Sequence, residues 1–393
     1  MSTKVRRHSV RLVVALVVAA FLVPFATASP AGAIGSPPST PIGSRIRFAT
    51  TNGDILAITK VNGTARNLIA FGGNFSAVIT PDGVRRAANH FAIVDELTGA
   101  LVYAGNANGY VRAITSINGT VYVGGDFTSF GGVARARAAA ISPTFAVTGW
   151  NPAPGSRVRA LTVASGNVVY GGDGSVVRST NPTTGASVWS QNVSGGSVRS
   201  LATAPNGSSV YVGGLFEVYG GLTRHGLIKA NPATGVPDSA FNARFRVDSG
   251  VGSGGSYDGQ AGNVLAFNAD GSRLLVGVAG QGSDEFKTLN PATGSLYWGI
   301  VLPGDCQGIG VVGSTYALGY HRHDNNPWPY FGAQVEASNG RLTTFDPGLT
   351  GYQSNADGGN NGVQAIYADP VNRRLFMAGA FTSPVKSLAV FTW

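Results

Sequence analysis

A strand, a tight turn, a second strand and a Gly-Gly pair recur along this chain of 393 residues, and such self-similarity constrains the fold more than any single motif. Four copies are clear: AITKVNGTARNLIAFGGNF ending at Phe75, VRAITSINGTVYVGGDF ending at Phe127, VRALTVASGNVVYGGDG ending at Gly174 and VRSLATAPNGSSVYVGGLF ending at Phe216. Three are weaker: VLAFNADGSRLLVGVAG, IGVVGSTYALGY and VQAIYADPVNRRLFMAGAF ending at Phe381. Their turns fall at Asn62-Gly63, Asn118-Gly119, Gly166-Asn167, Asn206-Gly207, Asp270-Gly271, Gly313-Ser314 and Val371-Asn372. Most supply the positive φ that two-residue hairpins demand. The turns repeat about every 51 residues, the length of four short strands, which is one propeller blade.

The remainder of each unit supplies a third strand, a turn and a fourth strand. The turns are Asp95 to Gly99, the NPTTG run from Asn181, the NPATG runs from Asn231 and Asn290, and Ala337 to Gly340. Asn or Asp opens such a turn by bonding its own backbone, and Gly closes it with positive φ. These are structural devices and not sites. The last unit stops at Trp393 after three strands, while an orphan strand, Arg45 to Thr50 (RIRFAT), precedes the first unit. That strand can supply the missing outer edge, and closure removes unpaired edges. The expected fold is all-β: a seven-bladed β-propeller closed by its N-terminal strand, occupying 44–393.

Composition agrees with a well-cored, turn-rich domain. Gly accounts for 57 residues and hydrophobic side chains for 43%, while charged residues are only 12%, against roughly 25% in an average globular protein. Such a chain has apolar surface to bury and little self-repulsion, which excludes a disordered polyelectrolyte. A single cysteine excludes a disulfide framework and a four-cysteine zinc site. Blades packed face to face bury both sides of most strands, which accounts for the low charge.

Residues 1–33 read as a secretory signal peptide: Lys4, Arg6, Arg7 and Arg11, then an apolar run from Leu12 to Phe25, then small residues ending Ala31-Gly32-Ala33. The run is too short to cross a bilayer, so no membrane span is expected after cleavage, and residues 34–43 (IGSPPSTPIG) form a Pro/Ser linker. The formal charge of +9 falls to +5 for the mature chain, because the leader holds four of the 28 basic residues and no acid. The remaining arginines are scattered without interleaved aromatics, which argues against nucleic acid. The expected localisation is secreted, extracellular or associated with a bacterial-type cell envelope.

VYVGGDFTSFGGVARARAAAI (Val121 to Ile141) and VYVGGLFEVYGGLTRHGLIKA (Val210 to Ala230) resemble the delta-60 repeat of secreted bacterial β-propeller proteins. The shared elements are Gly124, Gly125, Asp126 and Phe127 with Arg135, and Gly213, Gly214 and Phe216 with Arg224. The likeness is partial in the first unit (Gly72 to Phe75, Arg85) and the last (Ala378 to Phe381), and faint elsewhere. It implies a secreted propeller and no common reaction, so fold analogy supplies no function.

Function is sought on the loops. The connections after first and third strands are tight, whereas every long connection leaves the opposite face: Ser76 to Asn89, Thr128 to Arg137, Glu217 to His225, Val236 to Gly262, His321 to Tyr330 and Tyr352 to Gly362. Binding residues ride on such loops. The candidates for ligand contact are His321, His323, Asp324, Trp328 and Tyr330, with Tyr257 and Asp258 in the glycine-rich stretch. His residues two apart point the same way on an extended strand, so a divalent metal can take His321 and His323 with Asp324 or Asp305. The plainer alternative is a solvated polar loop with packed aromatics, and direct contact with an organic ligand is the third.

Several features read as structural. Asp126 and Arg135 are expected to pair within their own connection; Tyr170, Tyr211 and Trp298 are expected to pack between blades; Cys306 is expected to be a buried hydrophobe. No nucleophile elbow, HExxH helix or haem attachment motif is present, and no carboxylate pair stands out for glycoside hydrolysis. No catalytic residue and no cofactor is therefore assigned. The expectation is a monomeric, secreted, non-catalytic propeller that binds an envelope polysaccharide or protein through its long-loop face. The alternative is a secreted hydrolase, lyase or oxidoreductase with an axial active site, metal-dependent in one version.

Overall fold

The computed structural model describes residues 42–245, 260–280, 284–321, 331–351 and 362–393. These contain no helix, and hence none long and apolar enough to cross a membrane. The named strands pair antiparallel throughout. Each repeated hairpin is an adjacent strand pair: Asp54–Lys60 with Leu68–Asn74, Val111–Ile117 with Thr120–Gly125, Val158–Ala164 with Asn167–Gly172, Val198–Thr203 with Val210–Gly214, Ala261–Phe267 with Leu274–Ala279, Cys306–Val312 with Thr315–Tyr320, and Val363–Asp369 with Arg374–Gly379. A third strand joins each pair, beginning with Phe91–Asp95 and ending with Leu388–Thr392. A fourth is formed by Leu101–Ala104, Ser187–Ser194, Leu296–Val301 and, in the last sheet, Arg45–Ile46; elsewhere it shrinks to single bridges such as Ile141 with Val147. The first strand of each sheet packs beside the first strand of the next, and Val363–Asp369 also lies beside Asp54–Lys60.

The Gly-Gly pairs have a packing cause. A side chain on Gly124 would meet Val158 Cγ1 of the next sheet at 2.4 Å, and one on Gly125 would meet the Tyr110 carbonyl of its own hairpin at 1.9 Å. The first glycine thus admits the neighbouring sheet, and the second admits a backbone carbonyl. Gly72 and Gly73 repeat both contacts, against Val111 and the Asp54 carbonyl. That carbonyl approaches because the facing strand is bulged: the register slips by one residue between Val111 and Ala113, and at the equivalent place in every other hairpin. A bulge re-aims the side chain of its extra residue.

The third-to-fourth turns behave as expected. Asn181 Oδ1 accepts from the amides of Thr183 (2.9 Å) and Thr184 (3.0 Å), and Gly185 closes the turn at φ 78°. Strand aromatics pack between sheets: Tyr211 is buried with its hydroxyl on the Pro291 carbonyl, and Trp298 donates to the Ala337 carbonyl at 3.2 Å beside Tyr316. Cys306 is fully buried in the core, and burial pushes its thiol well above the usual range.

Four expectations need correction. Arg45 to Thr50 is not one strand: Arg45–Ile46 pairs with Leu388–Thr392, but Thr50–Thr51 turns away to pair with Ala77–Ile79. The cause is Asn52, whose Oδ1 accepts from the amides of Ser76 (3.0 Å) and Ala77 (2.8 Å). The third turn has its positive φ at Ser165 and Gly166, one residue earlier than expected. In the last hairpin the positive φ falls on Arg373, because Asp369 Oδ1 accepts from Val371 and Asn372 and lengthens the turn.

The fourth correction concerns the long connections. Ser76 to Asn89, Thr128 to Arg137 and Glu217 to His225 are themselves hairpins, Ala77–Ile79 with Arg85–Ala87, Ser129–Phe130 with Val133–Ala134, and Val218–Tyr219 with Leu222–Thr223. The last of these pairs back onto Ser187–Ser194 of the preceding sheet, and Tyr219 is fully buried. Asn108 fastens the middle one, accepting from Thr128 and Ser129 amides. These segments clasp neighbouring sheets together, which is a structural role.

Candidate ligand-binding channel

The bulge residues are Leu56, Arg112, Arg159, Arg199, Asn263, Gln307 and Gln364, one from the first strand of each sheet. All of them line a single cavity of about 700 Å³ bounded by these first strands. Two residues further along, where the period of a strand returns the side chain to the same face, the cavity is lined by Ile58, Ile114, Leu161, Leu201, Leu265, Ile309 and Ile366. The wall is therefore a ring of polar side chains, interrupted by Leu56, above an aliphatic one. The polar ring lies near the start of each first strand, so it opens toward the face that carries the long connections.

The polar ring is divided by charge. Arg112, Arg157, Arg159 and Arg199 crowd the side formed by the second, third and fourth sheets, while Asn263, Gln307 and Gln364 hold the fifth to seventh. Two carboxylates lie among the arginines. Arg112 Nε donates to Asp126 Oδ2 at 2.9 Å, and Arg157 Nε lies 2.6 Å from Asp126 Oδ1. Arg159 is paired with Asp173 through Nε and, at 3.1 Å, through Nη2, with Arg157 Nη1 3.6 Å from the same carboxylate. Asp126 and Asp173 each follow a Gly-Gly pair, with their amides on the carbonyls of Tyr110 and Arg157, two residues before the bulge.

In the fourth sheet the corresponding residue is Leu215, and the pattern breaks. Arg199 Nε is buried without a hydrogen-bond partner, and among the described residues no carboxylate lies within ion-pair distance of its guanidinium. Burial, with Arg159 and Arg112 nearby, pulls its affinity for a proton below that of an ordinary arginine; Asp173 and Asp305 oppose the shift. On the far side Gln307 Nε2 donates to His321 Nδ1 at 3.1 Å, and Gln307 Oε1 is buried with no donor. Asp305 Oδ2 lies 3.9 Å from the same His321 nitrogen.

Of the residues expected to contact ligand, His321 sits buried beside this channel. His323, Asp324, Trp328, Tyr330, Tyr257 and Asp258 lie outside the described residues. Among the described residues no group of three or more His, Cys, Asp or Glu side chains is placed to hold a metal. The expected pair of Asp126 with Arg135 does not form: Asp126 pairs with Arg112 and Arg157, which line the channel. Arg135 instead donates to the carbonyls of Ala134 (2.9 Å) and Thr148 (2.7 Å), and Arg224 likewise to Thr223 (3.0 Å) and Ser239 (2.9 Å). The repeat arginine thus ties its hairpin to the next connection. Phe127 and Phe216 are buried core residues.

The arginines of the channel are what a reading of loops overlooks. Their signal is present in the repeat itself as Val-Arg-Ala-Ile, Val-Arg-Ala-Leu, Val-Arg-Ser-Leu and Val-Gln-Ala-Ile at 111, 158, 198 and 363, with the polar residue at one fixed place in an otherwise apolar strand.

No protein-family model and no curated protein matches the chain. Solved structures do match, 1190 chains in all, which is too wide a group to indicate a function. One of them, from the crystal structure of the mitotic checkpoint complex, is 13% identical, with 90% of this chain and 96% of that chain covered and a TM-score of 0.54. Likeness at that identity shows the fold alone: all-β and β-propeller-like.

Proposed function

We propose that the chain is a secreted seven-bladed β-propeller of the delta-60 repeat type, closed by pairing of Arg45–Ile46 with Leu388–Thr392, that binds an envelope polymer or protein without catalysing a reaction. In this reading residues 1–33 are removed on export, residues 34–43 form the linker, and the mature protein works as a monomer with no cofactor and no nucleic-acid partner. The observation that carries it is the polar ring of bulge residues. It gives one face of the molecule a concave site with polar recognition groups from the second to the seventh sheets.

The chemistry of the ring favours binding over turnover. General acid–base work needs a carboxylate or imidazole free to exchange a proton with substrate; Asp126 and Asp173 are engaged by guanidinium groups, and Asp54, the carboxylate that lines the cavity, is buried with partners of its own. The test is incubation of the purified mature chain with fractionated cell-envelope polysaccharide and envelope protein, together with elemental analysis of the chain. Saturable retention on one fraction, with no change in that fraction's chemistry, is the expected result. Failure to bind either fraction, or product release accompanied by a stoichiometric metal, overturns the reading.

A further inference from the structure

Two groups of the channel wall lack partners, and their needs are complementary. Arg199 Nε requires an acceptor, which an anion supplies together with opposite charge, and Gln307 Oε1 requires a hydrogen-bond donor. A desolvated guanidinium with like charges beside it is costly to maintain, and an oxyanion held by its planar fork relieves both the desolvation and the repulsion. Asp126 and Asp173 cannot serve, being engaged by Arg112, Arg157 and Arg159. A ligand that satisfies the wall therefore carries an oxyanion at one end and a hydroxyl at the other.

The rest of the wall narrows the class. Amide side chains match hydroxyl groups, and they occupy the arc from Asn263 to Gln364; Asn263 Nδ2 already donates to the Cys306 carbonyl and Gln307 Nε2 to His321, so it is acceptor oxygen that these two offer a ligand. Beneath them the ring of seven Ile and Leu side chains offers an apolar surface suited to the C–H face of a pyranose. The cavity volume of about 700 Å³ falls within the range typical of small-ligand sites, roughly 300–1,000 Å³. An acidic peptide would place its carboxylate at Arg199 but would use neither the amide arc nor the aliphatic ring as fully.

We propose that the channel takes an acidic sugar, with its carboxylate on Arg199 and a ring hydroxyl donating to Gln307 Oε1. The proposal rests on the binding function above and specifies its ligand as the uronate-bearing end of an anionic glycan.

Calorimetric titration of the full mature chain tests it, with glucuronate and galacturonate as probes and glucose, inorganic sulfate and a short Asp/Glu peptide as comparators. One of the uronates should bind at least tenfold more tightly than glucose and than the peptide. Arg199→Gln should lose at least tenfold in uronate affinity, with Arg199→Lys intermediate because it keeps the charge without the fork. Gln307→Leu should weaken uronate and leave sulfate unchanged. The proposal is overturned if neither uronate exceeds glucose, if the peptide binds more tightly than both, or if both Arg199 variants bind uronate as the parent does. Should envelope fractions still be retained equally by parent and Arg199→Gln, the binding function stands and the acidic sugar falls.

Discussion

Lys60, at the end of the first strand of the first sheet, forms an ion pair with Asp369, at the same position in the last sheet. Glu96, fully buried, lies 3.2 Å from the same ammonium, and Arg374 donates to the Glu96 carbonyl. One cation thus holds two carboxylates where the first and last hairpins meet. Replacing Lys60 with Met leaves both acids buried without a counter-charge. Breaking a buried pair this way should cost about 3 kcal/mol, the low end for such pairs because Lys60 keeps some contact with water. Urea denaturation should show the midpoint falling in K60M with little change in slope; an unmoved midpoint would show that the pair contributes nothing.

The two carboxylates respond to pH in opposite directions. Burial pushes the Glu96 carboxyl above its ordinary value, and hydrogen bonding to Asp369 adds to this. Burial would also raise Asp369, but hydrogen bonds from Glu96, Lys60 and the amides of Asn372 and Val371 outweigh it and hold the group well below the usual range. Asp369 therefore contributes stability above its ordinary value, which is lost as pH falls toward its depressed value. Glu96 contributes stability in acid, which is lost as pH rises from its ordinary value through its raised one. In Glu96→Gln the second loss is absent. Thermal midpoints measured from pH 4 upward should show E96Q gaining on the parent as pH rises; a constant difference would contradict the raised value.

The repeat was legible because hairpin turns and Gly-Gly pairs are local, and the turn spacing survives in the three weak units, where one glycine of the pair remains as Gly277, Gly319 and Gly379. The reason for the glycines was not, since it depends on what stands opposite. Gly125 is empty because the bulge at Arg112 brings the Tyr110 carbonyl over it, and the polar residue that recurs at the bulge does not by itself say what stands opposite. The channel was missed for a related reason: Arg112, Arg159 and Arg199 are scattered in sequence and converge only when the first strands stand side by side. Asp126 was legible as a pairing residue, but its partners come from a facing strand and from the next sheet rather than from its own connection.

That account predicts different results for two Gly→Ala changes. A methyl on Gly125 collides with backbone that cannot move without undoing the bulge, whereas one on Gly155 meets nothing within 4 Å. G125A should lose about 3 kcal/mol, the upper end for overpacked positions. G155A should hold or gain about 0.5 kcal/mol through the stiffer unfolded chain. Equal midpoints for the two variants in denaturant would remove the packing explanation of the Gly-Gly pair.

Cys306 packs in the core with its thiol pushed up by burial and by the neighbouring Asp305. A thiol without thiolate character and without access is inert toward electrophiles. Ellman's reagent at pH 8 should release no thionitrobenzoate from the native chain over an hour and one equivalent after unfolding in guanidinium chloride. Rapid release from the native chain would place the side chain elsewhere.

Leu215 decides the state of Arg199. In the second and third sheets the residue after Gly-Gly is Asp126 or Asp173, and each neutralises the arginine of its own bulge; in the fourth it is Leu215, and Arg199 Nε is left without a hydrogen-bond partner. Leu215→Asp completes the pattern in a position where the backbone already places an acid twice. The new carboxylate should occupy the guanidinium, so uronate affinity should fall at least tenfold. The thermal midpoint above pH 6 should meanwhile hold or rise, because a half-buried charge gains its counter-ion. Loss of binding by misfolding would instead lower the midpoint, so the two readouts separate the causes. Uronate binding equal to that of the parent in a stably folded L215D would show that Arg199 is not where the anion sits.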